Sequence, residues 1–109
     1  MKTVELGPGA VCVELSGEFD LTQAYEFDRE VRSIEEQAGS ALVIDLREVS
    51  FVDSAGLARI LAARRRAQRA GRRFAVVRGS RAVQRLFALT AVDHQLEMIN
   101  DPRAVLAED

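Results

Sequence analysis

Residues 41–61 read ALVIDLREVSFVDSAGLARIL, and this stretch decides the fold. Its first part, Ala41 to Leu46, is almost continuously apolar and rich in β-forming side chains, which is typical of a strand covered on both faces in a parallel region. From about Ala55 to Ala70 apolar residues recur at helical spacing, and Gly71 ends the pattern. A buried strand that leads directly into an amphipathic helix predicts an α/β fold.

Strands and helices alternate on both sides of this unit. Upstream, Thr3 to Leu6 and Val11 to Ser16 alternate apolar and polar residues around a Gly7-Pro8-Gly9 turn, which predicts two paired strands. A helix follows, with an apolar stripe formed by Ala24, Phe27, Val31, Ile34 and Ala38. Its expected N-cap is Asp20 or Thr22, and Gly39 is its expected end.

Downstream, the pattern predicts two further strands, over Phe74 to Val77 and over Gln95 to Ile99, separated by a helix that Ser80 caps. The tail from Asp101 is expected to form a short helix or to fray. Residues 1–109 are therefore expected to form a single domain. Its fold class is α/β, with a mixed, mostly parallel sheet of about five strands covered by three to four helices.

Composition narrows the possible functions. The chain has 109 residues, of which 48% are hydrophobic, values that suit one folded domain. The single cysteine, Cys12, lies in an apolar run and is expected to be a packed thiol rather than a reactive one. The sequence shows neither a secretory leader nor an apolar run long enough to span a bilayer, so a cytoplasmic location without a membrane partner is expected.

Charge is distributed unevenly along the chain. Residues 1–50 contain 11 acids and 4 bases, whereas residues 51–109 contain 6 acids and 11 bases, so the two parts carry −7 and +5. Such asymmetry indicates either an interaction surface or helices that expose different solvated faces. The arginines between positions 64 and 73 have no aromatic residue among them, and the whole chain is acidic, so nucleic-acid binding is not expected.

Asp53 and Ser54 stand where the predicted strand passes into the predicted helix, an edge at which open α/β sheets bind ligands. Either residue could simply cap the helix. A hydrolase nucleophile elbow is a competing interpretation, but Val52 replaces the first glycine of that motif, and the one histidine is His94, just before the last strand. No spacing of ligand residues indicates a metal site, and no cofactor is expected.

Three ordered segments resemble the STAS domain family, and specifically its bacterial anti-sigma factor antagonists. They are VIDLREVSFVDSAGLARIL (residues 43–61), LSGEFDLTQAYEF (residues 15–27) and GSRAVQRLFALTAVDHQLEMI (residues 79–99). The resemblance covers essentially the whole chain. The sequence departs from the usual pattern at Ala55, where a second hydroxyl residue often follows, at Ala58, where glycine is common, and at Arg64, a usually apolar site.

The resemblance implies that the unphosphorylated protein binds an anti-sigma factor with serine kinase activity and so frees a sigma factor. Phosphorylation at Ser54 would end the binding, and a phosphatase would reverse it. The implied partner-binding residues are Asp20, Asp53, Ser54, Ala55, Gly56 and Leu57. Asp20 could equally be a plain N-cap, and both roles can coexist.

On this interpretation the protein is not an enzyme and has no catalytic residue, and it is a monomer or a weak homodimer. The alternative is a STAS module that docks in a stress-signalling scaffold or a transporter complex and is never phosphorylated.

Overall fold

The computed structural model describes residues 1–37 and 41–106. In chain order its strands and helices are β1 (Lys2–Gly7), β2 (Ala10–Phe19), α1 (Leu21–Glu35), β3 (Ala41–Val52), α2 (Ser54–Arg69), β4 (Arg73–Val77), α3 (Arg81–Leu89) and β5 (Glu97–Ile99). Two short 3-10 helices, Val92–His94 and Pro102–Leu106, flank β5. The five strands form one sheet in the order β1-β2-β3-β4-β5, and only the β1–β2 pair is antiparallel. The predicted mixed, mostly parallel α/β sheet is confirmed.

The sheet separates two apolar clusters of unequal size. On one face the three helices bury a large core, in which Phe27 of α1, Ile60 of α2 and Phe87 of α3 pack against strand residues such as Ile44. The opposite face carries a smaller cluster, which the 3-10 helix Pro102–Leu106 covers. Strands β2, β3 and β4 contribute to both clusters, which explains the continuous apolar run in β3.

β2 and β3 continue beyond their predicted ends at Ser16 and Leu46. They pair in parallel as far as Phe19 and Val52, with two irregularities in register. Each irregularity puts one more residue in β3 than in β2; at the second, Gly17 pairs with Val49 whereas Glu18 pairs with Phe51. These are β-bulges, which shift the in–out alternation of side chains. Arg47 and Glu48, which follow Leu46, resemble a loop in the sequence because they are charged. In the structure they are exposed residues of β3 beside a bulge.

The helix starts follow the predicted chemistry. Asp20 is the N-cap of α1, and its Oδ1 accepts a hydrogen bond from the Gln23 amide at 3.2 Å, so the alternative cap Thr22 is wrong. Ser80 caps α3 through the Val83 amide at 3.3 Å. The predicted stripe residue Ala38 and stop residue Gly39 lie outside the described residues.

The last predicted strand is shorter than expected. Residues 92–94 form a 3-10 helix, and β5 begins only at Glu97. Ala91, with a φ of 60°, adopts the left-handed conformation where α3 gives way to this turn. Within residues 1–37 and 41–106, no helix combines the length and the apolar character that a membrane span requires.

Candidate functional site

The turn between β3 and α2 is held by Asp53. This residue is the N-cap of α2, and its Oδ1 accepts a hydrogen bond from the Gly56 amide at 2.9 Å. A cap of this kind stabilises a helix by about 0.5–2 kcal/mol. Of the two caps that the sequence allowed, Asp53 is the one that forms, which leaves the Ser54 side chain free of that structural role.

Ser54 is the first residue of α2, and it is exposed. Its hydroxyl has no hydrogen-bond partner among the residues that the structure describes. The first turn of a helix has backbone N–H groups without intrahelical partners and the positive end of the helix dipole. An alcohol at this position is therefore open to another protein, and its surroundings favour a negative group attached to it.

Gly56 is buried because the first turn of α2 lies directly on the end of β2. A Cβ atom at position 56 would lie 2.5 Å from the Phe19 carbonyl oxygen and 2.7 Å from Phe19 Cδ2. The Asp53 amide donates to the same carbonyl oxygen at 3.3 Å. The absence of a side chain at Gly56 thus allows α2 to begin this close to the end of β2. A partner could not touch it directly, so its implied role in binding reduces to holding its neighbours in place.

The register of the sheet brings Asp20 beside the turn. Phe19 pairs with Val52, so Asp20 and Asp53 follow neighbouring parallel strand ends at the same edge of the sheet. Both carboxylates are half-buried, and each caps the helix that follows it. Of the other implied contacts, Ala55 is half-buried, and Leu57 is half-buried against the main core.

Three large apolar side chains that were not predicted as site residues are exposed on α1 and near the end of β3. Leu21 at the start of α1, Tyr25 one turn later and Phe51 near the end of β3 are 55%, 62% and 54% exposed. The guanidinium carbon of Arg59 lies 5.9 Å from the centre of the Tyr25 ring. Together with Ser54, these three side chains form what we call the switch surface. Large apolar side chains that are exposed near one edge of a sheet indicate a candidate protein interaction site.

Catalysis of the hydrolase type has no support in the geometry. His94 lies in the 3-10 helix between α3 and β5, with 85% of its side chain exposed. Within the described part of the chain, no hydrogen bond joins it to Ser54. A serine nucleophile requires a base within hydrogen-bond reach.

The face of the sheet opposite the three helices contains a polar cluster that sequence reasoning missed. The atoms of Cys12, Glu14 and Asp45 that could bind a metal ion all lie within 4.8 Å of one another, because Glu14 and Asp45 are partners in the β2–β3 register. Burial, and then the neighbouring Asp45 and Glu14 carboxylates, raise the pKa of the Cys12 thiol to about 12. Arg47 donates to both oxygens of Asp45, at 2.8–3.2 Å. The thiol is protonated and the buried carboxylate is occupied, so the cluster is structural in this state, as was expected of Cys12.

Comparisons with known proteins agree with the fold described above. A protein-family model described as "Mlab, STAS domain" matches residues 3–100. An anti-sigma factor antagonist from Mycobacterium paratuberculosis is 28% identical, with a TM-score of 0.84, and the match covers 96% of this chain and 90% of that one.

The anti-sigma factor antagonist SpoIIAA in its unphosphorylated form is 18% identical, with a TM-score of 0.80 and coverage of 95% and 91%. The Bacillus cell fate determinant SpoIIAA in its phosphorylated form is 17% identical, with a TM-score of 0.75 and coverage of 95% of each chain. At these identities the likeness to SpoIIAA concerns the fold.

Proposed function

Because the chain belongs to the STAS domain family, we propose that it acts as an anti-sigma factor antagonist controlled by phosphorylation at Ser54. The unphosphorylated form binds an anti-sigma factor that is also a serine kinase, and a sigma factor is released. The observation that carries the proposal is the exposed, unbonded hydroxyl of Ser54 at the start of α2, beside two capping carboxylates. The fold shared with known antagonists supports it.

The switch surface is the part of the molecule that we assign to partner binding. Leu21, Tyr25 and Phe51 offer the apolar area, and Ser54, which is also exposed, follows Phe51 by three residues. Aromatic side chains of this kind supply much of the affinity at protein interfaces. Asp20 and Asp53 act mainly by capping the two helices that carry these groups, and Ala55 and Leu57 contribute what their half-buried side chains expose.

Phosphorylation would change the charge of this surface sharply. The kinase transfers the γ-phosphoryl group of ATP to Ser54 Oγ, the hydroxyl proton is lost, and ADP leaves. The product carries about −1.5 to −2 charges next to Asp20 and Asp53. A partner that fits a neutral hydroxyl would have to desolvate this group without a matching cation, which is costly. A hundredfold loss of affinity requires only about 2.7 kcal/mol.

The same modification leaves the fold intact in this proposal. A phosphate at position 54 would meet the unpaired N–H groups and the positive end of α2, which stabilise anions. Because Ser54 is exposed, no packed neighbour has to move. The cost of phosphorylation therefore falls on the complex. A phosphatase resets the switch, and since the kinase uses ATP, we place the cycle in the cytoplasm.

The test is to incubate the protein with each serine-kinase anti-sigma factor of its source organism and ATP, followed by intact-mass measurement and site mapping. One added phosphoryl group at Ser54 is expected, and Ser54→Ala should remain unmodified. Ser50→Ala is the matched control, because Ser50 is also exposed and lies four residues away in β3. Absence of phosphate at Ser54 with every such kinase would refute the switch. If membrane transport subunits were then captured instead, the unphosphorylated docking module would be favoured.

A further inference from the structure

A second concave site lies between α3, the 3-10 helix Val92–His94 and β5, and it shares no residue with the switch surface. The cavity measures about 680 Å³, within the range of small-molecule sites. Its apolar lining includes Phe87 and Leu96, which are buried, and Met98, which is half-buried. Three guanidinium-bearing residues also line it, Arg78, Arg81 and Arg85. The cleft thus combines an apolar floor with a cationic wall.

Two of these arginines lie at positions where a positive charge lowers the stability of α3. Arg81 is the first residue of α3, where the helix dipole favours anions, and no acid stands in the first turn. Arg85 follows four residues later, and like charges at this spacing destabilise a helix. Neither residue forms an ion pair or a side-chain hydrogen bond within residues 1–37 and 41–106. Arg81 and Arg85 therefore do not serve to stabilise α3.

The other polar residues that line the cleft are Arg78, Gln84, Asp93 and His94. Arg78 Nη1 donates to Asn100 Oδ1 at 3.0 Å, and Gln84 Nε2 donates to the Gly79 carbonyl oxygen at 3.0 Å. Asp93 Oδ1 is shielded from solvent, has no hydrogen-bond partner in the described part of the chain, and lies 4.0 Å from His94 Nε2. With three arginines against one aspartate, the charged lining is positive even when His94 is neutral.

We propose that this cleft binds a small organic anion, a phosphate or carboxylate group joined to an apolar body. Guanidinium groups recognise both anions through paired hydrogen bonds, and a concave site of one sign attracts its counter-ion. The apolar body would lie on Phe87, Leu96 and Met98, and the anionic group would face Arg81 and Arg85. This inference does not depend on the proposed function of Ser54.

Met98 offers a direct readout, because the chain has two methionines and the other, Met1, lies outside the cleft. In protein with 13C-labelled methionine methyl groups, an aromatic anion bound in the cleft should shift the Met98 signal and leave Met1 unchanged. The probes are phenyl phosphate, benzoate, inorganic phosphate and benzyl alcohol. We expect saturable binding of phenyl phosphate or benzoate, with a dissociation constant of about 1 mM. The tighter of the two identifies the anionic group.

Arg81→Gln/Arg85→Gln should weaken binding of the tighter aromatic anion at least about tenfold. Arg65→Gln/Arg69→Gln is the matched control, since it also removes two exposed arginines four residues apart, from α2. The control should retain the wild-type dissociation constant within about twofold. Thermal unfolding of both variants establishes that they are folded.

The proposal would be overturned by a Met98 signal that neither aromatic anion moves, by equal losses in the two arginine variants, or by equally tight binding of benzyl alcohol. Inorganic phosphate that binds as tightly as phenyl phosphate would also contradict it, since the apolar floor would then contribute nothing.

Discussion

At the scale of single residues, neighbouring residues in the turn that joins β3 to α2 have different roles. Ser54 is exposed and unbonded, whereas Gly56, two positions later, lies against Phe19 with no space for one more carbon atom. Asp53, which precedes Ser54, caps the helix by accepting a hydrogen bond from the Gly56 amide. The exposed hydroxyl is thus separate from the groups that fix its position, so the two can be tested one residue at a time.

Ser54→Asp should bind the anti-sigma factor about a hundredfold more weakly than wild type, whereas Ser54→Ala should bind normally, because only the first buries a charge in the interface. Isothermal titration calorimetry measures both affinities. Ser50→Asp, which adds the same charge at an exposed position in β3, is the control and should bind less than tenfold more weakly. If Ser54→Asp bound as tightly as wild type, the interface argument would be wrong.

Gly56→Ala should lower the free energy of unfolding by about 1–3 kcal/mol. Helix propensity alone would favour alanine by roughly 1 kcal/mol, but the added carbon would lie 2.5 Å from a backbone oxygen, which cannot move easily. Urea unfolding followed by circular dichroism measures the difference. Ser54→Ala in the same turn should change stability by less than about 0.5 kcal/mol. A stabilised Gly56→Ala protein would contradict the close contact.

The Cys12 thiol should make stability fall at high pH. Its folded pKa of about 12 exceeds the reference value of 9.0, so in between the native state keeps a proton that the unfolded chain loses. Stability is therefore unaffected below pH 9 and decreases above it, by about 1.4 kcal/mol between pH 8 and pH 10. Urea unfolding at both pH values, compared with Cys12→Ala, isolates this contribution. Identical pH dependence in the two proteins would disprove it.

At the scale of elements, sequence periodicity predicted the five strands and three α-helices of the described residues, but neither the 3-10 helix Val92–His94 nor the points where the strands end. Apolar spacing located the buried residues of α1, such as Phe27 and Val31, because helical period and burial coincide there. The bulges of β3 broke the two-residue alternation, so Phe51 looks like a core residue although it is 54% exposed. The exposure of Phe51 could not be predicted for this reason, whereas the Ser54 turn could, through its family motif.

Asp53→Ala should destabilise the protein by about 0.5–2 kcal/mol, because the Gly56 amide loses its acceptor at the start of α2. Asp53→Asn retains a side-chain oxygen and should lose less than half as much. Equilibrium unfolding in urea distinguishes the two. Equal losses in both variants would mean that the carboxylate charge at the helix N-terminus, rather than the hydrogen bond, provides the stabilisation.

At the scale of the whole molecule, the sheet is covered by three helices on one face and by the 3-10 helix Pro102–Leu106 on the other. The switch surface lies at one edge of this sheet, where the carboxyl ends of β2 and β3 meet the starts of α1 and α2. Sequence order alone could not place Asp20 beside Asp53, because they are 33 positions apart. Their proximity requires the parallel pairing of β2 with β3.

Val105→Ala should cost about 1–3 kcal/mol of stability, since Val105 is buried in the smaller cluster and the sheet has little other cover on that face. The next residue, Leu106, is 38% exposed, so Leu106→Ala is the matched control and should cost less. Denaturant midpoints of the two variants give the comparison. A larger loss for Leu106→Ala would show that this 3-10 helix packs through its other side.

The contact of Gly56 with Phe19 makes the first turn of α2 and the end of β2 one closely packed corner. In the proposed switch, a protein with such a corner would not need to change shape, because its partner would sense only the added phosphoryl group. No refolding step would then delay the response, and its speed would depend on how quickly the proposed kinase, phosphatase and anti-sigma factor complex exchange.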